Sequence, residues 1–124
     1  MKILVVDDEI DIKDLFAQRF RREIRAGLID FNFALSGEAA LVFLREHKHE
    51  AILILSDINM PGMSGLELLR QTRQQFPEPP PVILMITAYG DQQTYDSAMA
   101  LGADGFLNKP IDFDSLKEKL NSLA

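Results

Sequence analysis

Apolar positions along the chain follow two kinds of pattern. Three runs are unbroken: ILVV at 3–6, AILIL at 51–55 and VILMI at 82–86. Such runs suit strands covered on both faces, as in a parallel sheet with helices above and below. LIDFNFAL at 28–35 alternates apolar with polar residues and predicts an outer strand, and ADGFL at 103–107 predicts a short fifth. The intervening stretches carry a helical period. Ile12, Phe16, Phe20 and Ile24 recur every fourth residue, and Gly27 follows as a stop. Ser36 caps the helix beginning GEAALVF, Ser64 and Glu67 make a capping box, and Asp91 and Asp112 cap the last two helices.

A strand followed by a helix, five times over, predicts a doubly wound α/β domain with right-handed crossovers. Its expected form is a five-stranded parallel sheet of order 2-1-3-4-5, the flavodoxin-like (βα)5 arrangement. The 124 residues suffice for one domain, 1–124, with one core. No internal repeat is visible, and PEPPP at 77–81 stiffens the loop before the fourth strand.

Composition narrows the class. With 47% apolar and 26% charged residues the chain is globular rather than disordered. Its net charge of −6 repels a phosphate backbone or an anionic membrane, so no direct nucleic-acid or membrane partner is expected. The absence of cysteine removes disulfides, thiolate metal sites and thiol catalysis. No apolar stretch reaches the roughly 18 residues a membrane span requires, and the start lacks a signal peptide's basic flank, so the expected location is cytoplasmic.

In an open parallel sheet, ligands bind beyond the carboxyl ends of the strands. The first predicted strand ends in Asp7 and Asp8, the third in Asp57, the fourth in Thr87 and the fifth in Lys109. Singly, each has a bland reading: helix-start acids, a turn aspartate, a strand threonine, a surface lysine. Gathered at one edge they form a site with a definable chemistry. Asp8 and Asp57, with a backbone carbonyl from the loop just after Asp57, offer the hard oxygen ligands that suit Mg²⁺, and Asp7 can hold one of its waters. Lys109 and Thr87 supply donors for an anion with three acceptor oxygens, which implies a phosphoryl group. Carboxylates act as nucleophiles toward phosphorus, and Asp57 is the central candidate.

The segments VVDDE, LILSDINMPGMSGLEL, ILMITAY and GADGFLNKP resemble the receiver domain of two-component response regulators, in that family's order and spacing and over nearly the whole chain. The resemblance implies that Asp7, Asp8, Asp57 and Asn59 form the Mg²⁺ site and that Asp57 accepts phosphate from a sensor histidine kinase or phosphotransfer protein. It implies further that Thr87 and Lys109 bind the phosphoryl oxygens and that Phe106 is a switch aromatic coupled to Thr87. Phosphoryl uptake and hydrolysis would be self-catalysed, without a metabolic substrate, and a downstream effector would read the surface around the fourth helix, fifth strand and fifth helix. The chain would act as a monomer or a phosphorylation-dependent homodimer. A cis Lys109–Pro110 bond is expected from the same resemblance.

Other features weigh less. Phe106 on its own reads as packed core, and Asn59 and Tyr89 either flank the phosphoryl entry or are plain loop residues. His47 and His49 read as solvated, because an i, i+2 pair at a helix end does not converge on a metal. Arg19, Arg21, Arg22 and Arg25 read as a solvent face, with a kinase helix as an alternative occupant. The fourth helix carries no Lys or Arg, which departs from receivers that dimerise there. The connection REIRAGLIDFNF is long, with no evident consequence. A partner-binding scaffold, a flavin-binding domain and a Mg²⁺ hydrolase are rival classes; the intact acid, hydroxyl and amine set speaks against the first, and the lack of a glycine-rich phosphate loop after the first strand against flavin. The chain ends near the close of its fifth predicted helix, as either a stand-alone regulator or part of a longer protein.

Overall fold

A computed structural model describes residues 1–50, 52–88 and 90–123. Its strands are β1 (Lys2–Val6), β2 (Asp30–Ala34), β3 (Ile52–Asp57), β4 (Val82–Thr87) and β5 (Gly105–Asn108), and its helices are α1 (Ile12–Arg19), α2 (Arg21–Arg25), α3 (Gly37–Glu46), α4 (Gly65–Gln75), α5 (Gln92–Ala100) and α6 (Phe113–Leu123). All the strand pairs are parallel, in the order β2-β1-β3-β4-β5 that the alternation predicts. Among the described residues, no helix is long and apolar enough to cross a membrane.

Each unbroken apolar run buries both of its faces, as expected. Leu4, Val6, Ile54, Ile83 and Met85 point to one core with Ala40, Leu44, Leu68, Leu69 and Ala98 from α3, α4 and α5. Ile3, Val5, Leu53, Leu55, Leu84 and Ile86 point to the other, beneath α1 and α6. That second core has an aromatic centre. The rings of Phe16 and Phe20 stack at 5.8 Å, and both meet Phe31 edge-on, at 5.4 and 5.1 Å. Offset and edge-to-face pairs add to what burial alone contributes.

The first helical stretch differs from the expectation of one helix. It divides at Phe20, whose φ of −111° and ψ of 23° leave the α region, although Ile24 N–H still donates to Phe20 O at 2.9 Å. Phe20 is fully buried, so packing against Phe16 and Phe31 offsets the local departure from helix geometry. Gly27 does end the second piece: its φ is +74°, its N–H donates to Ile24 O, and Leu28 N–H donates to Glu23 O. This paired closure of the last carbonyls needs a left-handed residue, which glycine supplies at least cost.

The other boundaries follow their caps. Ser36 Oγ accepts from Ala39 N at 3.1 Å, Asp91 Oδ1 from Thr94 N at 2.7 Å and Asp112 Oδ1 from Ser115 N at 3.2 Å. The box at α4 is half made. Ser64 Oγ accepts from Glu67 N at 3.2 Å, but the Glu67 carboxylate turns outward to Arg70 and Gln71. His47 is another correction to the sequence reading: its ring stacks on Phe43 at 4.2 Å and hydrogen-bonds Glu50, which also pairs with Lys2. His49 is exposed.

Candidate functional site

Because the strands are parallel, their carboxyl ends share one edge. Val6 lies level with Ser56 in the β1–β3 ladder, so the residues that follow, Asp7 and Asp57, stand side by side. Ile86 is level with Asp57, and Thr87 with Asn108, which brings the hydroxyl and then Lys109 round the same edge. The Lys109–Pro110 bond is cis, and Lys109 N–H donates to Thr87 O at 2.8 Å, tying the lysine to the end of β4.

The three aspartates converge. Carboxylate oxygens of Asp7, Asp8 and Asp57 lie within 4.8 Å of one another. Asp7 and Asp57 are 4% and 5% exposed, whereas Asp8 is open to solvent. Asp7 does not serve as a helix cap. Its Oδ1 accepts from Glu9 N at 2.9 Å, while α1 begins later, after Asp11. Lys109 Nζ reaches into the cluster, 3.1 Å from Asp57 Oδ2 and 3.4 Å from Asp7 Oδ2. The Lys109 ammonium thus pairs with the two buried carboxylates of the cluster, those of Asp7 and Asp57.

Burial raises Asp57 above its usual carboxylate value; the hydrogen bond and charge of Lys109 oppose that rise, and the charge of Asp7 adds to it. Crowding of like charges is therefore the smaller cause, and loss of water the larger. For Lys109, partial burial pulls downward, but the hydrogen bond and charge of Asp57, with Asp7 and Glu9, hold it above the ordinary lysine value.

Three contacts were not legible in the sequence. Asn59 Nδ2 donates to Thr87 Oγ1 at 3.2 Å, and Asn59 N–H reaches Asp57 Oδ1 at 3.4 Å, so one loop residue touches both the central acid and the hydroxyl. Glu9 Oε1 lies 3.8 Å from Lys109 Nζ. Asn59 was expected in the metal site or at the phosphoryl entry, not as a partner of Thr87, and no spacing rule distinguished Glu9 from a solvated acid. Tyr89 lies outside the described residues. Phe106 stands apart from the acids: it is half-buried on β5, edge-on to Tyr95 at 5.5 Å, rather than deep in the core.

One backbone contact holds the loop after Asp57 in place. Gly65 N–H donates to Ile58 O at 2.8 Å, and a Cβ on Gly65 would sit 2.1 Å from the Asp57 carbonyl oxygen. The start of α4 can approach the end of β3 this closely only because residue 65 has no side chain.

The donor set is all hard oxygen, with two buried carboxylates, one exposed and an amide residue beside them. That chemistry fits Mg²⁺, which favours a few carboxylates and retained waters over thiolate or imidazole. The Asp7, Asp8 and Asp57 cluster therefore suits a metal ion.

Known proteins with related chains share this plan. Residues 3–121 match the response regulator receiver domain. The chain is 36% identical over 123 residues to the two-component response regulator PhoP of Pseudomonas aeruginosa, an alignment covering 99% of this chain and 51% of PhoP. It is 34% identical over 128 residues to chemotaxis protein CheY-3 of Vibrio cholerae, covering 99% of this chain and 91% of that protein. The chain thus spans about half the length of PhoP, and about a quarter (24%) of response regulator protein PilR. Chemotaxis protein CheY4 of Vibrio cholerae superposes with a TM-score of 0.82 at 28% identity, over 99% of this chain and 98% of that one. With sheet order, acidic edge and sequence in agreement from residue 3 to residue 121, the chain belongs to the receiver domains of two-component response regulators.

Proposed function

We propose that the chain is a phosphorylation-activated switch of a two-component or phosphorelay system, with Asp57 as the residue that takes the phosphoryl group. The convergence of the Asp7, Asp8 and Asp57 carboxylates within 4.8 Å, beside Lys109 Nζ, carries this reading. The donor is a phosphohistidine on a sensor kinase or phosphotransfer protein. An Asp57 carboxylate oxygen forms a bond to phosphorus as the phosphorus–nitrogen bond breaks, and the departing imidazole nitrogen keeps the electron pair and takes up a proton. Hydrolysis runs from water to phosphorus, releasing inorganic phosphate and restoring the Asp57 carboxylate. Both steps are self-catalysed, and no metabolic substrate is involved.

Asp7, Asp8, Asp57 and Asn59 would hold Mg²⁺. When bound, the ion neutralises charge on the transferring phosphoryl oxygens. Lys109 moves its hydrogen bonding from Asp57 to a phosphoryl oxygen, and the Thr87 hydroxyl donates to another. As Thr87 is drawn toward the phosphoryl group, Phe106 turns inward from its half-buried place beside Tyr95. The surface formed by α5, β5 and α6 changes with it, and a downstream effector protein or domain reads that change in the cytoplasm, from a monomer or a phosphorylation-dependent homodimer.

The test is intact-mass spectrometry after incubation with acetyl phosphate and Mg²⁺. The wild-type chain should gain one phosphoryl group, and the gain should vanish in Asp57→Asn and on chelation. Absence of any gain in the wild type, or its persistence in Asp57→Asn, rejects Asp57 as the acceptor. Beryllofluoride, a phosphoryl mimic, should shift the resonances of Thr87, Lys109 and Phe106 in the wild type alone.

A further inference from the structure

The sheet ends on one side at β2, and its backbone is open there. Asp30 N–H donates to Met1 O and Asp7 N–H donates to Ala34 O. Residues 30, 32 and 34 therefore turn their backbone groups toward β1, and the alternation along a strand turns those of Phe31 and Phe33 outward, away from the sheet. Among the described residues, no backbone group answers them. Edge strands are ordinarily guarded by Pro, Lys, a bulge or an inward charge. β2, DFNFA, has none of these: its one charge, Asp30, stands at its start, and its register with β1 runs unbroken from residue 30 to residue 34. The opposite edge differs, because β5 is four residues long and leads straight into Lys109 and Pro110.

The flank of this edge carries one charge of each sign, at opposite ends. A groove of about 420 Å³ runs between β2 and the helices α1 and α2, walled by Ala17, Ile24, Phe31 and Phe33, with Lys13 and Asp30 as its charged lining. Helix α1 runs against the strand: the Phe16 ring meets both Phe33 and Phe31, and Phe20, one turn later, meets Phe31 at 5.1 Å. Lys13, a turn before Phe16, therefore stands toward the Ala34 end of the groove, and Asp30 marks the other end. Both are exposed. Among the described residues, neither side chain makes an ion pair or a hydrogen bond. A groove with a base at one end and an acid at the other is complementary to its own reversed copy. At the middle of the strand, on the other face of the sheet, Asn32 Nδ2 is buried without a hydrogen-bond partner.

We propose that β2 pairs with β2 of a second copy of this chain, antiparallel about a two-fold axis at Asn32, so that two five-stranded sheets join into one. Phe31 N–H then donates to the partner's Phe33 O, Phe31 O accepts from the partner's Phe33 N–H, and the axis repeats both bonds. In this register Asp30 lies level with the partner's Ala34 and meets the partner's Lys13, while the two apolar troughs come together across the axis. Asn32 faces its own copy, where a turn of the carboxamide gives Nδ2 the partner's Oδ1 to donate to. Any extended peptide satisfies outward backbone groups; a reversed copy also answers both charges. Such a contact is isologous and closes at two copies. β2 is separated from β3 and Asp57 by β1 and lies at the far edge from β5, so the pairing forms with or without a phosphoryl group and is distinct from a phosphorylation-dependent dimer.

Analytical ultracentrifugation of the unphosphorylated chain, with residue-resolved amide hydrogen exchange, tests this. A reversible dimer should form as concentration rises. In it the Phe31 and Phe33 amides should exchange roughly tenfold more slowly than in the dilute monomer, while that of Asn32, which faces β1 in both, changes little. Lys13→Glu and Asp30→Lys, both at exposed positions, should each raise the dimer dissociation constant roughly tenfold, because each turns two contacts of opposite charge into contacts of like charge. Thermal melting verifies that both variants fold. Mixed in equal amounts, they should form a heterodimer with the wild-type affinity, since every facing pair is again of opposite charge. A chain that stays monomeric to about 1 mM, a dimer whose Phe31 and Phe33 amides exchange as in the monomer, or a mixture that associates no more tightly than its components overturns the proposal. A dimer that appears only with acetyl phosphate and Mg²⁺ assigns self-association to another face and overturns it too. So does protection of those amides by an added extended peptide in a chain that remains monomeric, which gives the edge to a foreign strand. Phosphoryl uptake, followed in parallel, should be equal in the variants and the wild type, which separates this result from the Asp57 assignment.

Discussion

Asp57 pays for its position. Buried to 5% exposure and raised above 3.8 mainly by loss of water, its ionised form is less favourable in the folded chain than in the unfolded one. Linkage fixes the sign: this group's contribution is most favourable below pH 3.8 and is lost as pH rises through the raised folded value. Asp57→Asn should therefore raise the urea midpoint at neutral pH, with the gain shrinking toward acid, and a midpoint difference independent of pH would contradict the assignment. On the proposed function, Mg²⁺ bound by Asp7, Asp8 and Asp57 would act on the same cost. A ligand at ten times its dissociation constant stabilises the native state by about 1.4 kcal/mol. Thermal melts with and without Mg²⁺ should show that gain in the wild type, and a smaller one in Asp8→Asn, whose exposed side chain can be changed without disturbing the core.

At the scale of elements, the site depends on how closely α4 approaches the end of β3. A Cβ at residue 65 would stand 2.1 Å from Asp57 O and 2.7 Å from Ile58 Cα, and the obstacles are backbone, not movable side chains. Gly65→Ala should cost about 1–3 kcal/mol, the usual range for overpacking, and should also slow phosphoryl uptake, because the loop carrying Asn59 must shift. Ser36→Ala is the comparison. It removes the cap bond to Ala39 N and should cost about 1 kcal/mol with uptake unchanged. Equal slowing in both variants would mean that general stability, not the geometry at residue 65, sets the rate.

For the whole molecule, the question is whether one phosphoryl group can move the surface near Phe106. Taking a two-state equilibrium from 1:99 to 99:1 requires about 5.5 kcal/mol, and one charge-assisted hydrogen bond contributes about 1.5–3 kcal/mol. Thr87 alone falls short, while Thr87 and Lys109 together, with further burial of Phe106, come close. Thr87→Ala should leave Asp57 phosphorylated yet yield only a partial shift of the Phe106 and Tyr95 resonances; a complete shift would remove Thr87 from the relay. On the other face of the sheet from Phe106, the rings of Phe16, Phe20, Phe31 and Phe113 interlock. Phe20→Ala should cost about 3–5 kcal/mol in denaturant unfolding.

Most of the architecture was legible in the chain itself. Unbroken apolar runs announce strands buried on both sides, and Ser36, Asp91, Asp112 and Gly27 mark helix ends through side chains and backbone freedom that act locally. Sheet order then places Asp7, Asp8, Asp57, Thr87 and Lys109 at one edge, because parallel strands share a carboxyl end. What depended on contacts between distant segments was not legible. The break at Phe20 follows from aromatic packing against β2, the Asn59–Thr87 bond joins the loop after β3 to the end of β4, and Glu67 turns outward to Arg70 and Gln71 instead of closing its cap. Local pattern determines which element forms, since propensity and capping act within a few residues; which side chains meet, and what water they lose, is decided only when the elements close on one another.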